Sequence, residues 1–592
     1  MGLEYALVHA KFTIPLAALL TAAAKPLLTR LDAARVLFLT SVAVTATIPW
    51  DSYLIRTGVW TYPQDAVLGH SLLSIPVEEL FFFVIQTYIT SLLYILCNKP
   101  VLLAQHLDTP ETRPSWVRRG KALGQILLVA ATAFGGFLIR RQGEGTYMGL
   151  ILAWACPFLL ITWSLAGEML LYKPWTSTLL PILAPTFYLW LVDELSLRKG
   201  IWTIENDTKL NSQLFGSLDI EEAVFFLITN TLVAFGIAAF DKAVAVCDVF
   251  PEKFPQPADS LPVMPLLRAC VLPSSEYDVG RIEGLREAAT RLRGKSRSFY
   301  LASSVFPGRI RVDLTLLYSY CRLADDLIDN AESPKEALGW ISKLKGHLDS
   351  AYRQGKTQDS TTGSMREFIR ADNLSPSART ALELLPSHIV SKEPLYELLE
   401  GFRTDVGFSS SQRTPMLPVV QEESDLELYA SRVAGTIGEM CLDIVLHNST
   451  GHVGKEVRDR LYAAAREMGI ALQYINIARD IAVDAAMGRV YLPASWLAEE
   501  GQTQETVLAV PHGPAVDRLR RRLLGKAFER YRASRGAMDM IPREGRAPMM
   551  AAVESYMEIG RVLAQGGLRI EGKATVPVGR RLRVVWKALV QG

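Results

Sequence analysis

Seven long apolar stretches fill the first 245 residues of this chain and constrain its fold more than any other feature. A helix of about 20 apolar residues spans the hydrocarbon core of a bilayer, where the backbone needs the internal hydrogen bonds of a helix. The sequence therefore predicts a bundle of about seven membrane helices. The apolar stretches lie at 5–24, 36–50, 71–97, 124–139, 146–166, 177–192 and 220–241.

The composition changes after residue 245. Residues 246–275 include six prolines and show little periodicity, which is typical of an interdomain linker. Beyond the linker, long segments follow the helical period and are separated by polar breaks. We therefore predict an all-α protein with a polytopic membrane domain over 1–245, a linker over 246–275 and a soluble helical domain over 276–592.

Charged residues in the loops predict the orientation of the chain. The loop at 98–121 carries five lysines and arginines, whereas the loops at 51–69 and 193–219 are more acidic and polar. Cationic loops remain on the cytosolic side of a membrane, so the soluble domain is expected there too. The formal net charge of +2 gives no reason to expect nucleic acid as a partner.

Two pairs of acidic residues on predicted helices are the main candidates for an active site in the soluble half. Residues four apart share a helix face, and like charges at that spacing destabilise a helix unless a cation lies between them. One such pair is usually a solvated surface, but each pair here lies in an apolar helix close to an arginine, Arg322 or Arg479. The pattern favours Mg²⁺, or Mn²⁺ in its place, bound together with a diphosphate. The pairs are Asp325 with Asp329 and Asp480 with Asp484.

Four segments in this half resemble the motifs of the phytoene and squalene synthase family, in family order over about 290–495. They are KSRSFYLAS, YSYCRLADDLID, YASRVAGTIGEM and ALQYINIARDIAVDAAMGRVYLP. The resemblance implies head-to-head condensation of two geranylgeranyl diphosphates, through prephytoene diphosphate, to phytoene. It also implies that Asp325, Asp329, Asp480 and Asp484 bind the metal and the diphosphate.

The same resemblance assigns further residues of this site. The implied diphosphate ligands are Arg297, Arg322, Arg479 and Arg489. Gln473 and Asn476 would support the second aspartate pair, and Ser298 and Phe299 would line the entrance. Tyr318 and Tyr429 occupy the places of aromatic hydroxyl groups near the reacting cation.

The membrane half contains an internal repeat. WDSYLIRTGVWTYP at 50–63 and VDELSLRKGIWTIE at 192–205 match at an offset of 142 residues, and each precedes an apolar helix that begins with two glutamates. The second copy begins four helices after the first, so both copies point the same way across the membrane. The repeated residues are Asp51/Asp193, Arg56/Arg198, Gly58/Gly200, Trp60/Trp202, Thr61/Thr203, Glu78/Glu221 and Glu79/Glu222.

The repeated glutamates are candidate acid catalysts. In a single copy, a glutamate paired with Arg56 or Arg198, or placed at a helix N-terminus, would be a structural feature. Here the glutamates are repeated together with a tryptophan, and this favours a catalytic role. An apolar pocket favours a protonated carboxyl group, and indole faces stabilise carbocations. The candidate catalytic residues are Glu78, Glu79, Glu221 and Glu222, and the candidate substrate-binding residues are Trp60 and Trp202.

PVEE at 76–79 resembles the Pro-x-Glu-Glu hallmark of the small integral-membrane lycopene cyclases, and the second copy has Asp219 in place of the proline. This resemblance implies acid-catalysed isomerisation of lycopene ends to β-ionone rings, which gives γ- and β-carotene. No flavin or nicotinamide motif occurs in the sequence. A single pocket between the two copies is the favoured arrangement, because the copies are unequal.

The combination of both halves resembles fungal bifunctional enzymes of carotenoid biosynthesis. The implied partners are geranylgeranyl diphosphate, lycopene and related carotenes, the lipid bilayer, and a phytoene desaturase that acts between the two sites. One alternative is a squalene-type or other terpene synthase with a membrane anchor. Another is a non-catalytic scaffold built on a synthase fold. Intact aspartate pairs disfavour a non-catalytic scaffold, and the duplicated glutamates and tryptophans disfavour a membrane half that only tethers the chain.

Overall fold

The computed structural model describes residues 2–205, 207–353, 374–411, 419–451, 453–565 and 576–591, without the side chains of 259, 297, 298 and 409–411. The chain divides into two compact units, Met1–Ile282 and Glu283–Gly592.

Within its described residues, the first unit contains seven helices that are long and apolar enough to cross a membrane, which agrees with the predicted number. Many large apolar side chains on these helices are exposed, as expected for a bundle that faces lipid. The helices are α1 (Glu4–Leu27), α2 (Arg30–Arg56), α3 (Val77–Asn98), α4 (Ser115–Arg141), α5 (Thr146–Tyr172), α6 (Trp175–Arg198) and α7 (Ile220–Val249).

Short strands connect the helices of each repeat. Between α2 and α3 lie β1 (Trp60–Thr61) and the hairpin of β2 (Ser71–Leu72) with β3 (Ile75–Pro76). Between α6 and α7 lie β4 (Thr203–Ile204) and the hairpin of β5 (Gln213–Phe215) with β6 (Leu218–Asp219). The apolar stretch predicted to start at 71 therefore becomes a helix only at Val77, because its first residues form a hairpin.

Residues 246–275, predicted as a linker, contain the end of α7 and a further helix, α8 (Val263–Val271). Helix α8 packs against α7 through buried Leu266 and Ala269. By its contacts this stretch belongs to the first unit, and the domain limits at 245 and 275 stay predictions.

The second unit is built from helices, so the all-α fold class is confirmed for the described residues. Its early helices are α9 (Val279–Lys295), α10 (Arg297–Ser303), α11 (Gly308–Asp329), α12 (Pro334–Arg353), α13 (Pro376–Glu383) and α14 (Lys392–Ser411). They are followed by α15 (Glu423–Ala430), α16 (Thr436–Asn448), α17 (Lys455–Ala486), α18 (Ala494–Glu499), α19 (Gln504–Ala509), α20 (Pro514–Arg535), α21 (Arg543–Ala564) and α22 (Val578–Gln591).

Helix α17 is the central element of the second unit. It packs against α16, α20 and α21, and its buried face is continuous from Leu461 to Ala485. A single π-helical turn, Ser431–Gly435, joins α15 to α16 and contacts α17. Gly469 allows this close approach, because a Cβ atom there would lie 2.2 Å from the backbone oxygen of Ala434.

Candidate active sites

The two repeats of the membrane unit meet at equivalent residues. Strand β1 pairs antiparallel with β4, and Thr61 lies opposite Thr203. Their hydroxyl oxygens are 2.8 Å apart. Because each threonine is the other's counterpart at the offset of 142, this contact lies at a pseudo-two-fold axis between the copies.

The two glutamates of each pair have different surroundings. Glu78 Oε1 accepts a hydrogen bond from the backbone N–H of Leu68 at 2.7 Å, and Glu221 Oε1 accepts the equivalent bond from Leu210 at 2.7 Å. These two carboxylates therefore hold the preceding loops against their helices. Both belonged to the predicted set of catalytic residues, and the structure places neither of them in the pocket described next.

Glu79 and Glu222 line one pocket together with Trp60 and Trp202. Both glutamates are buried, and aromatic side chains form most of the other walls. The volume of this pocket is about 40 Å³. The structure thus brings together the second glutamate and the tryptophan of each copy.

Tyrosines donate hydrogen bonds to the two pocket glutamates. Tyr5 and Tyr62 both donate to Glu79 Oε2, at 2.5 and 2.9 Å, and Tyr147 donates to Glu222 Oε1 at 2.6 Å. Tyr5 and Tyr147 are themselves 142 residues apart. Neither tyrosine was among the predicted site residues, although their shared offset of 142 is a signal in the sequence that could have found them.

Each tryptophan packs on the tyrosine of the other repeat. The ring centroids of Trp60 and Tyr147 are 5.9 Å apart, and those of Trp202 and Tyr5 are 4.9 Å apart. Neither copy therefore completes its half of the pocket alone.

The arginines of the repeat do not pair with these glutamates in the described part of the chain. Arg56 Nε donates to Ser74 Oγ at 3.4 Å, and Arg198 forms an ion pair with Glu194. The structural ion pair considered as an alternative is thus not formed here.

The first aspartate pair of the second unit lies at the end of α11. Arg322 donates to Asp325 at 2.7 Å and to the flanking Asp326 at 2.6 Å. Burial, together with the negative charge of Asp329, raises the pKa of Asp325 to about 6.

The second aspartate pair lies on α17. Arg479 contacts both carboxylate oxygens of Asp480, at 2.8 and 2.5 Å. Burial and the charge of Asp480 raise the pKa of Asp484 to about 7. Arg489 donates to Asp329 at 2.7 Å, so this arginine joins the second cluster to the first.

The donor set of the two clusters fits a divalent cation. Asp325 and Asp484 each lie close to a second carboxylate of the same cluster, Asp329 and Asp480 respectively, whose negative charge acts on them. In the described residues no three acidic, histidine or cysteine side chains form a closed metal cage. Mg²⁺ is commonly held by one or two carboxylates, with water and substrate phosphate oxygens as its remaining ligands.

A largely apolar cavity of about 530 Å³ lies beside the first cluster. Asp325, Arg322, Gln473 and Arg489 form a polar part of its lining, and the walls elsewhere are mainly aliphatic and aromatic. The cavity therefore combines a charged region with an apolar interior.

Tyr318 and Tyr429, both predicted for this site, line the cavity. Burial raises the pKa of Tyr318 to about 12. Tyr429 donates to Asp405 at 3.0 Å, and Tyr491 donates to the same oxygen at 2.7 Å. Asp405, whose pKa burial raises to about 7, was missed because its sequence neighbourhood has no repeated acidic pattern.

The remaining predicted residues lie near the cavity or outside the described side chains. Asn476 donates to Gln473 at 3.2 Å and accepts a hydrogen bond from Tyr556 at 2.5 Å. Phe299 stacks on Tyr556 with ring centroids 5.4 Å apart. Arg297 and Ser298 are part of α10, and their side chains lie outside the described residues.

Comparison with known proteins covers the whole chain. Residues 292–586 match the family model of squalene/phytoene synthase. Proteins called bifunctional lycopene cyclase/phytoene synthase are similar over their full length: that of Colletotrichum graminicola is 57% identical, and that of Podospora anserina is 51% identical, each with 100% of both chains covered. The protein of the same name from Neurospora crassa is 50% identical over 99% of this chain and 100% of its own. This chain belongs to the family of bifunctional lycopene cyclase/phytoene synthases.

Proposed function

We propose that the chain catalyses two steps of carotenoid biosynthesis at separate sites: the synthesis of phytoene in the second unit and the cyclisation of lycopene in the membrane unit. Full-length similarity to bifunctional relatives is the observation that carries this proposal. The two constellations of charged residues supply a chemical basis for each activity.

In the second unit, the aspartates of α11 and α17 would hold a divalent cation and, through it, the diphosphate end of geranylgeranyl diphosphate. A bound Mg²⁺ supplies positive charge that stabilises the departing diphosphate. Arg322, Arg479 and Arg489 add charge-assisted hydrogen bonds to its oxygens. These arginines are already held close to the aspartates, so little reorganisation is needed.

The apolar cavity shelters the allylic cation from water while the second substrate reacts with it. Tyr318 and Tyr429 line this cavity, and Asp405 holds the hydroxyl group of Tyr429. Condensation gives prephytoene diphosphate, and its ionisation and rearrangement give phytoene. This sequence needs no hydride donor.

In the membrane unit, a protonated Glu79 or Glu222 delivers a proton to the terminal double bond of lycopene. Ring closure then produces a tertiary cation, and loss of a proton gives the β-ionone ring. Trp60, Trp202 and the pocket phenylalanines face the cation with their rings. Because the pocket holds only about 40 Å³, its aromatic walls must separate to admit a carotene end.

The seven apolar helices support a location of the cyclase site in the bilayer, where carotenes dissolve. The cationic loop at 98–121 supports a cytosolic location for the second unit. A phytoene desaturase must act between the two activities, because lycopene differs from phytoene in its conjugated double bonds.

The cyclase assignment is tested with paired double variants expressed in cells that accumulate lycopene. Glu79→Gln/Glu222→Gln removes both pocket acids, and ring formation should fall by about 10²–10⁴-fold, the usual contribution of a general acid. Glu78→Gln/Glu221→Gln is the matched control, because glutamine still accepts the backbone hydrogen bonds of Leu68 and Leu210. Chromatography of the carotenes measures the outcome. Equal ring loss in the two double variants would contradict the assignment.

The synthase assignment is tested with Asp325→Asn in cells supplied with geranylgeranyl diphosphate. Phytoene output should fall on the order of 10²-fold, the scale of losing one preorganised charge contact to a transition state. Cyclisation of supplied lycopene by the same variant serves as the control and should be unchanged. Unaltered phytoene output would refute the role of this aspartate.

A further inference from the structure

Asp193 is a carboxyl group of the cyclase pocket with no assigned role. It lines the same pocket as Glu79 and Glu222 and is only 2% exposed. Neither of its carboxylate oxygens accepts a hydrogen bond of normal geometry from a described residue. The Trp202 indole lies beside it.

Asp193 belongs to a group of four buried carboxyl groups, with Asp51, Glu79 and Glu222. The charges of Glu222 and Glu79 act directly on Asp193. Nearby cations are engaged elsewhere, since Arg198 pairs with Glu194 and Lys209 pairs with Asp219. In the described part of the chain no ion pair joins the four to a cation, so they cannot all be ionised at once. At least one of the four therefore stays protonated.

We infer that Asp193 is the proton acceptor that completes ring formation and so determines where the ring double bond forms. The inference rests on the proposed cyclase function. A glutamate first gives its proton to the terminal double bond and becomes a carboxylate. Ring closure then places the positive charge on the methyl-bearing ring carbon.

Asp193 removes the proton from the neighbouring ring carbon, the one that bears the polyene chain. The electrons of that C–H bond become the ring double bond of the β-ionone product. The proton then passes from Asp193 to the glutamate carboxylate in the same pocket, which restores both groups. No electrons or atoms are gained or lost, as an isomerisation requires.

The hydrogen bonds of the pocket distinguish Asp193 from the two glutamates. Glu79 and Glu222 are each held by tyrosine hydroxyl groups, which fix the position from which a proton is delivered. Asp193 has no such tyrosine, and both of its oxygens are buried without a hydrogen bond of normal geometry from a described residue. Its counterpart in the first repeat, Asp51, is fully buried and does not line the pocket.

The position of the ring double bond tests the inference, because a merely structural role would not move it. Asp193→Asn, Asp51→Asn and the unchanged protein are compared in lycopene-producing cells, with membrane protein levels matched and products separated by chromatography. We expect Asp193→Asn to lower β-ring output at least tenfold. Rings with a double bond toward the ring methylene, or outside the ring, should appear in their place. Asp51→Asn should form β-rings only.

The inference would be overturned if Asp193→Asn formed β-rings as its sole ring type. It would also be overturned if Asp51→Asn showed the same shift of double bonds. If Asp193→Asn forms no rings, Asp193→Glu decides, because glutamate can accept the proton. Rings that return in Asp193→Glu support the inference, and their absence contradicts it. Absence of rings from the unchanged protein would instead refute the proposed cyclase function.

Discussion

Adjacent glutamates acquire different roles because successive residues of a helix point about 100° apart. Glu78 and Glu221 face the loops, whereas Glu79 and Glu222 face the pocket. Among the described residues, Tyr147 is the one tyrosine that donates to Glu222, whereas Tyr5 and Tyr62 both donate to Glu79. The two acids are therefore held unequally although they occupy equivalent places in the repeat.

This inequality predicts unequal effects of removing one hydroxyl group. Tyr147→Phe should slow cyclisation of supplied lycopene by about 2–10-fold, the value of one net hydrogen bond of 0.5–1.5 kcal/mol. Tyr5→Phe, its counterpart, should have a smaller effect, because Tyr62 still donates to Glu79. Initial rates in membranes with equal protein content provide the measurement. A larger loss of cyclisation rate in Tyr5→Phe than in Tyr147→Phe would contradict this prediction.

Helices α2 and α6 both end in the same hydrogen-bonded cap. Gly58 and Gly200 have φ angles of 74° and 65°, in the left-handed region that glycine adopts easily. The next residues, Val59 and Ile201, donate back to the last helical turn. These caps turn the chain sharply, so that β1 and β4 can meet at the pseudo-two-fold axis.

Alanine at either cap should therefore destabilise the membrane unit. A Cβ atom at Gly58 or Gly200 meets nothing within 4 Å, so the cost is conformational, about 1 kcal/mol. Gly136→Ala in α4 is the control, since this site is also free of contacts but has an ordinary helical backbone. The temperature at which the detergent-solubilised protein loses its monodisperse peak should fall for the cap variants only. An equal fall for Gly136→Ala would point to a general intolerance of substitution.

At the scale of the whole molecule, two unlike chemistries occur in one chain. Under our proposal, the second unit binds a charged diphosphate at its carboxylates and arginines, whereas the membrane unit moves protons among buried carboxyl groups. The first chemistry depends on a divalent cation under our proposal, and the second uses only groups of the chain.

Removal of metal should consequently separate the two activities. Treatment of membranes with EDTA should abolish conversion of geranylgeranyl diphosphate to phytoene, and added Mg²⁺ should restore it. Cyclisation of lycopene in the same membranes should proceed at its untreated rate. Loss of both activities on chelation would contradict an acid mechanism that uses only side chains.

Features that depend on local periodicity were predictable from the sequence, and features that depend on long-range contact were not. The seven membrane helices follow from apolar length alone. The choice between Glu78 and Glu79 depends on how α3 is rotated in the bundle, which the sequence does not state. Asp405 becomes significant only because folding brings it to Tyr429 and Tyr491.

The packing of each tryptophan on the tyrosine of the other repeat has a consequence for how such a protein can change over time. A chain with a single copy would hold half a pocket and would need a second chain to complete it. When two copies lie in one chain, each copy can acquire its own substitutions, because the pocket is no longer assembled from two identical chains. Asp219 illustrates this freedom: it stands where the first copy has Pro76, and it has gained an ion pair with Lys209 that the first copy lacks.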